Sequence, residues 1–267
     1  MLSSELVQAI VLGIVQGVAE FLPISSSGHL VILQEPLEQW LGLQTGGSER
    51  LALNVALHFG TLMSILVVYR ADILRLLRDP LSALPIVIAT VPIVIVGFTM
   101  KDWVEDHLQR PVVAGCGLLV TAALLLAGRK FEREQGADAK VTLFAAAVIG
   151  LFQAAALVPG ISRSGSTIAG GLLSGLRRDS SATFSFLIAI PAILGASVLT
   201  AAEAWSRPES TSSLSASALC VGMVVSFAVG LLALQGLLRL ISRRRLHWFA
   251  AYCALLGAST IVWQLTR

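Results

Sequence analysis

Hydrophobic positions along this chain come in long unbroken runs. They show neither the strict alternation of a half-buried strand nor the narrow stripe of an amphipathic helix. Six runs, at about 53–69, 81–99, 111–128, 182–202, 215–238 and 248–264, approach the roughly 20 residues needed to cross a hydrocarbon core of about 30 Å. Two further apolar stretches, about 5–34 and 141–176, are broken midway by proline, glycine and serine, in FLPISSSG and LVPGISRSG. A break at membrane depth is tolerated only where its freed backbone groups face protein or a wet cavity. The pattern therefore predicts an all-α integral membrane protein with six transmembrane helices and two broken re-entrant helical hairpins.

The two breaks resemble each other. With a constant offset of 137, GIVQGVAEFLPISSSG at 13–28 falls on GLFQAAALVPGISRSG at 150–165. Gln16 meets Gln153, Ile24 meets Ile161, Ser25 meets Ser162, Ser27 meets Ser164 and Gly28 meets Gly165, whereas Glu20 falls on Leu157 and Ser26 on Arg163. Three spanning runs follow each break, and an odd number of crossings inverts the second copy. The expectation is one membrane domain over 1–267 with inverted-topology halves, about 1–128 and 141–267, joined by a cytoplasmic loop at about 129–140. The two hairpins would then enter from opposite faces and meet near the midplane.

Composition removes the alternatives to a membrane protein. The chain is 55% hydrophobic and only 13% charged, with a mean hydropathy of +0.81 over 267 residues, which leaves no stretch for a soluble domain. The net charge of +3 says less than its distribution. Thirteen of the 19 Lys and Arg fall in four loops, on Arg70, Arg75, Arg78, Arg129, Lys130, Arg133, Lys140, Arg177, Arg178, Arg239, Arg243, Arg244 and Arg245. Arg50, Lys101, Arg110, Arg207 and Arg267 fall on the other face, so the positive-inside rule puts both termini outside. Trp40, Trp103, Trp205, Trp248 and Trp263 lie near expected span ends, as interfacial anchors do. The N-terminus lacks the basic region of a secretory signal and reads as part of the mature protein. Cys116, Cys220 and Cys253 sit in apolar runs without metal or disulfide spacing, and nothing in the chain suggests nucleic acid binding.

The deepest charges are Glu20 and Arg163, one on each hairpin, and a buried charge in a membrane protein marks a functional cavity. Around them stand Ser25, Ser26, Ser27, Gly28 and His29 on one side, and Ser162, Ser164, Gly165, Ser166 and Thr167 on the other. Glycine- and serine-rich bends leading into helix N-termini suit a phosphate, and arginine adds a charged fork for it. Glu20 would repel such a ligand alone, which suggests a divalent cation between them. Against this stand plainer readings: close helix packing for the Gly and Ser breaks, an ion pair for Glu20, a pore-lining hydrogen bond for His29, and a helix–helix hydrogen bond for His58. An enzyme that splits a phosphoanhydride and a lipid-phosphate flippase both fit an anion site at a midplane; an acid beside a histidine favours the enzyme.

QGVAEFLPISSSGH at 16–29, ALHFGT at 56–61 and VPGISRSGSTI at 158–168 together resemble the undecaprenyl-diphosphatase family, bacterial membrane phosphatases associated with bacitracin resistance. The likeness covers essentially the whole chain. It implies hydrolysis of undecaprenyl diphosphate to the monophosphate and inorganic phosphate, which recycles the lipid carrier of peptidoglycan and other envelope polymers in the bacterial inner membrane. It also implies magnesium or calcium, a homodimer, and an active site open to the periplasmic side. The family's acidic motif falls on Gln16 and Glu20, with Glu20 and Gln16 expected to hold the metal. Its serine and histidine motif falls on Ser25 to His29, and its arginine motif on Pro159 to Gly165. Many members carry glutamate where this chain has Gln16, so here one carboxylate remains and Gln16 offers only a carbonyl oxygen. Catalysis then rests on Glu20, Ser26, His29 and Arg163: either Ser26 attacks while His29 takes its proton, or His29 orients a water.

Overall fold

A computed structural model of the chain describes residues 3–43, 45–132, 141–206 and 214–266, and every regular element among them is helical. The elements are α1 (Ser4–Ala19), α2 (Ser26–Leu41), α3 (Gly47–Val68), α4 (Arg70–Arg78), α5 (Leu84–Leu108), α6 (Pro111–Lys130), α7 (Leu143–Ala155), α8 (Arg163–Leu173), α9 (Arg178–Ser206), α10 (Ala216–Ser242) and α11 (Leu246–Leu265). Six of them, α3, α5, α6, α9, α10 and α11, are long and apolar enough to cross a membrane, and they fall on the six expected runs. The two interrupted stretches form the helix pairs α1–α2 and α7–α8.

Local chemistry sets the breaks. After Ala19 the chain turns through Glu20 to Ile24, and Ser25, at φ 70°, caps α2 by accepting the Gly28 N–H at 3.2 Å. A serine in that region carries roughly 1–3 kcal/mol of strain, which the packed surroundings hold in place. After Ala155 the chain turns through Gly160, at φ 91°, and Ser162 caps α8 by accepting the Gly165 N–H at 3.1 Å. The serine pairs Ser25–Ser27 and Ser162–Ser164 each place their hydroxyl oxygens 3.3 Å apart.

Small residues bring the helices together, as they must where lipid offers no hydrophobic drive for association. A Cβ on Gly13 would lie 3.0 Å from the Gly222 carbonyl of α10, and one on Gly150 would lie 2.6 Å from the Ala89 carbonyl of α5. Between α3 and α10, Ser226 donates to the Leu57 carbonyl at 2.7 Å and Ser64 to the Phe227 carbonyl at 2.9 Å. Phe21, Tyr69 and Phe186 lead the largest buried cluster, just below the bends.

Three segments differ from the sequence expectation. Residues 70–78, expected as a loop, form α4: Ile73 and Leu76 pack on the Phe21 cluster while its arginines face out. The stretch expected to end near 34 continues to Leu41 through Pro36, and ends where Gly42 adopts φ 66°. Finally, α5 runs beyond 99 to Leu108. Among the basic residues, Arg133, Lys140, Arg207 and Arg267 lie outside the described residues, as do the side chains of Lys101 and Trp205.

Candidate active site

The two bends touch. A Cβ on Gly28 would lie 2.9 Å from the Gly160 Cα, and one on Gly165 would lie 3.2 Å from the Pro23 Cβ. Under the sequence offset of 137, Gly28 corresponds to Gly165 and Pro23 to Gly160, so these two contacts join matching positions. Each bend is also held by a transmembrane helix, α6 for one and α11 for the other. Thr121 of α6 donates to the Gly160 carbonyl at 2.8 Å, and Cys253 of α11 donates to the Pro23 carbonyl at 3.6 Å. Ser164 donates to the Leu22 carbonyl at 3.3 Å, from one hairpin to the other.

This crossing puts Glu20 at the centre of a polar cluster. Arg163 donates to Glu20 Oε1 at 2.6 Å, Ser26 Oγ donates to Oε2 at 2.7 Å, and Gln16 Nε2 donates to Oε2 at 3.0 Å. His58 Nε2 stands 3.8 Å from the same Oε2. A second Arg163 nitrogen reaches the Ser185 carbonyl at 3.4 Å, and its guanidinium lies 5.9 Å from the centre of the Phe186 ring, so both cation and carboxylate are held from several sides.

A cavity of about 280 Å³ opens on this cluster. Glu20, Ser25, Ser26, Ser27 and Arg163 line it, together with Asn54 and His58 of α3 and Ser197 and Thr200 of α9. Five residues singled out from sequence are thus brought together, and the others lie behind them. Ser162, Ser164, Ser166 and Thr167 are buried and bonded within the fold: Ser166 donates to the Phe152 carbonyl, and Thr167 donates to the Arg163 carbonyl and pairs with Ser185. They fix the helix that carries Arg163. Gly28 and Gly165 serve the crossing.

His29 faces away from the cavity. Its Nδ1 bonds the Ser25 carbonyl at 2.7 Å, its Nε2 pairs with the Tyr252 hydroxyl at 2.7 Å, and its ring stacks on that tyrosine. His58 takes the place in the cavity that the sequence reading gave to His29. Its Nδ1 donates to the Asn54 carbonyl at 2.8 Å, which leaves Nε2 turned toward Glu20. The signal was present in the spacing, since Asn54 and His58 are one helical turn apart on a span next to the hairpin, but an apolar helix gave no reason to choose that face.

These residues do not make up a cation site by themselves. Magnesium wants six oxygens and calcium six to eight. Here there is one carboxylate, already paired with Arg163, and the Gln16 Oε1, a buried carbonyl without a hydrogen-bond partner. Among the described residues no three His, Cys, Asp or Glu side chains converge.

Six helices able to span a membrane, three of which line one pocket with an arginine, a carboxylate and a serine hydroxyl, define a membrane-embedded protein equipped to hold and process a phosphorylated ligand. The chain belongs to the bacitracin resistance protein BacA family, which it matches over residues 9–259. It is 47% identical over 262 residues to an undecaprenyl-diphosphatase of Rhodopirellula baltica, covering 98% of this chain and 99% of that one. Proteins of the same name from Korarchaeum cryptofilum and Bacteroides thetaiotaomicron are each 37% identical, covering 96% and 97% of this chain and 98% of each relative.

Proposed function

We propose that this chain hydrolyses undecaprenyl diphosphate to undecaprenyl phosphate and inorganic phosphate, recycling the lipid carrier of envelope polymers and so lowering sensitivity to bacitracin. The observation that carries the reading is the Ser26–Glu20–Arg163 chain of hydrogen bonds at the wall of the cavity, within a family whose relatives are named for this reaction. A flippase needs the arginine but has no use for a serine hydroxyl aimed at a carboxylate.

In this reading Arg163 and the Ser26 and Ser27 amides of α2 hold the terminal phosphoryl group, since the helix itself leaves its first N–H groups unsatisfied. Ser25 and Ser27 border the same turn. Ser26 Oγ attacks the terminal phosphorus, the bond to the bridging oxygen breaks, and prenyl phosphate leaves with the electron pair. Glu20 Oε2, already accepting the Ser26 proton, takes it. Such transfers ask more of charge stabilisation than of base strength. Water then releases phosphate from Ser26, and Glu20 returns the proton. His58 stands beside the shared oxygen to orient that water, while His29 positions Ser25 through its carbonyl. Magnesium or calcium enters this scheme only in company with the diphosphate, because the protein side chains do not form a site for it.

The pairs α1–α2 and α7–α8 serve as the two re-entrant hairpins of an inverted repeat, with halves about 1–128 and 141–267. Support comes from exchanged packing, α1 against α10 and α7 against α5, and from the matched Gly28–Gly160 and Gly165–Pro23 contacts. The cavity is lined by the first half of α3 and the last half of α9, away from the ends that carry Arg70, Arg129, Arg178 and Arg239. That supports an inner-membrane protein with a periplasmic opening, external termini and a cytoplasmic loop at about 129–140. A homodimer is part of the proposal.

The experiment is phosphate release from a long-chain prenyl diphosphate by detergent-purified protein, with and without magnesium or calcium, beside Ser26→Ala. Release without a sealed membrane requires an enzyme, and a loss of about 10³-fold or more in the variant assigns the nucleophile. No release by well-folded protein overturns the reading.

A further inference from the structure

Between the spans α3 and α5 the chain forms α4 and one tight turn, Pro80–Ala83. Only Tyr69 separates α4 from the end of α3, and Leu84 opens α5 directly after the turn, so α4 stays at the level where both spans leave the bilayer. Its nine residues carry two apolar faces. Ile73 and Leu76 turn inward onto the Phe21 cluster, whereas Leu74, Leu77 and, in the turn, Leu81 are 51%, 72% and 83% exposed. Leucines at i, i+3 and i+7 make a stripe that water would not tolerate uncovered. The stripe continues the exposed apolar surface of the spans on either side, through Val67 of α3 and Leu84 of α5.

Charge on this face has one sign. At about 100° per residue, Leu77, Arg70, Leu74 and Arg78 fall within a single sector about 100° wide. Arg70 and Arg78 stand four residues on either side of Leu74, about 12 Å apart along the axis. Arg75 is paired with Asp72 at 3.4 Å on another side of the helix, whereas among the described residues Arg70 and Arg78 form no ion pair. Arg70 Nη1 donates to the Val67 carbonyl at 3.0 Å, which holds its guanidinium at the last turn of α3. The sector therefore presents two cations beside leucines, and no acid.

We propose that this face of α4 is a docking site for an anionic phospholipid, with the phosphate between Arg70 and Arg78 and the acyl chains along Leu74, Leu77 and Leu81. An interfacial helix takes its leucines into the acyl boundary while its arginines reach the phosphates. The lipid is anionic because a choline or ethanolamine head would bring its own ammonium to a sector that already holds two guanidinium groups and no carboxylate. The site is remote from the pocket but joined to its floor. Tyr69, the residue before α4, stacks on Phe186 at 6.0 Å, and Arg163 lies over that same ring. Ile73 and Leu76 pack on the cluster of Phe21, the neighbour of Glu20 in the chain. A lipid that braces α4 thus braces what lies beneath both charges of the pocket. The assignment needs only that the chain spans a membrane, so it stands apart from the reaction proposed above.

The test titrates detergent-purified protein with dioctanoyl phosphatidylglycerol or dioctanoyl phosphatidylcholine, following thermal unfolding and the lipid retained in native mass spectrometry. Phosphatidylglycerol is expected to raise the unfolding temperature by about 3–6 °C at roughly ten times its Kd, and phosphatidylcholine by about 1 °C or less. Arg70→Gln with Arg78→Gln should remove most of that rise and the retained lipid. Arg129→Gln with Lys130→Gln, which takes the same charge from the end of α6, should keep both. All four side chains are exposed, so each variant should unfold within about 2 °C of wild type before lipid is added. Leu77→Gln keeps every charge and should still weaken phosphatidylglycerol binding by about threefold or more, because the site is apolar as well as cationic. Equal responses to the two lipids, equal losses in the α4 and α6 variants, or no response in wild-type protein each overturn the proposal. Protein that hydrolyses no diphosphate yet tells the two lipids apart would sink the enzymatic reading and leave the lipid site standing.

Discussion

Gly28→Ala tests the hairpin crossing. The new Cβ would stand 2.9 Å from the Gly160 Cα and 3.2 Å from the Gly160 nitrogen. An ordinary carbon contact is about 3.5–4.0 Å, so the backbones must part by about 0.6 Å. The second hairpin has no room to retreat, because Gly160 is backed by the Ala114 carbonyl and by Gly117 of α6. The movement therefore falls on α2 and carries Ser26 away from Arg163. At roughly a hundredfold in rate for a 1 Å misplacement, 0.6 Å gives about a tenfold or greater fall in kcat. Overpacking lowers stability by about 1–3 kcal/mol as well. Gly165→Ala is the control: its Cβ would meet side chains, the Ser162 Cβ at 3.1 Å and the Pro23 Cβ at 3.2 Å, and should cost less in turnover. Steady-state phosphate release and thermal unfolding in the same detergent measure both effects. Wild-type kcat in a folded Gly28→Ala protein, or Gly165→Ala as the more damaging change, would refute the reasoning.

Arg163→Lys keeps the charge but loses the fork, and should cut kcat/KM by about 10²–10³-fold; Arg163→Ala adds about 3–5 kcal/mol of destabilisation by leaving Glu20 buried and unpaired. His29→Ala is expected to act mainly on stability, by about 1–3 kcal/mol, because both ring nitrogens serve the fold, whereas His58→Ala should lower turnover with little change in unfolding temperature. A stable His29→Ala protein with turnover lost would return the catalytic role to His29. Manganese(II) titrated into substrate-free protein and followed by electron paramagnetic resonance should show no bound fraction below about 1 mM, and should show one once a non-hydrolysable diphosphate is added. Tight binding to the free protein would contradict the reading of Glu20 as a carboxylate already paired.

Most of the architecture was legible because hydropathy runs and helix breakers obey the bilayer directly. Six spans need six apolar runs, and FLPISSSG and LVPGISRSG stop helices by their own backbone chemistry. The meeting of Glu20 with Arg163 was expected from the offset of 137, because the two matching breaks are the places where a buried charge stands. What could not be read was facing. His29 and His58 both lie on helices near the break, and which of them enters the cavity depends on how α2 packs toward Tyr252 of α11, a contact between residues 223 apart. The serines after Arg163 looked like phosphate ligands for a similar reason. A hydroxyl that bonds a neighbouring carbonyl and one that awaits a ligand have the same letter, and only burial separates them. α4 was missed because its arginines dominate its composition while two residues, Ile73 and Leu76, decide its docking.

The crossed attachment of the bends bears on how the protein is made. The Pro23 carbonyl is satisfied by Cys253, 230 residues later, so at about 5–20 residues per second the first hairpin waits roughly 10–50 s for its partner to leave the ribosome. For the first part of that interval, until Arg163 follows 143 residues behind Glu20, a half-inserted chain exposes Glu20 without its arginine, beside a strained Ser25. Quality-control proteases and insertion chaperones would meet the chain in this state, and a stop codon anywhere before α11 leaves a protein whose first bend lacks the Cys253 bond. The last hold on the first bend is therefore a late event of biogenesis, and a truncated copy should be degraded rather than accumulate as an inactive one.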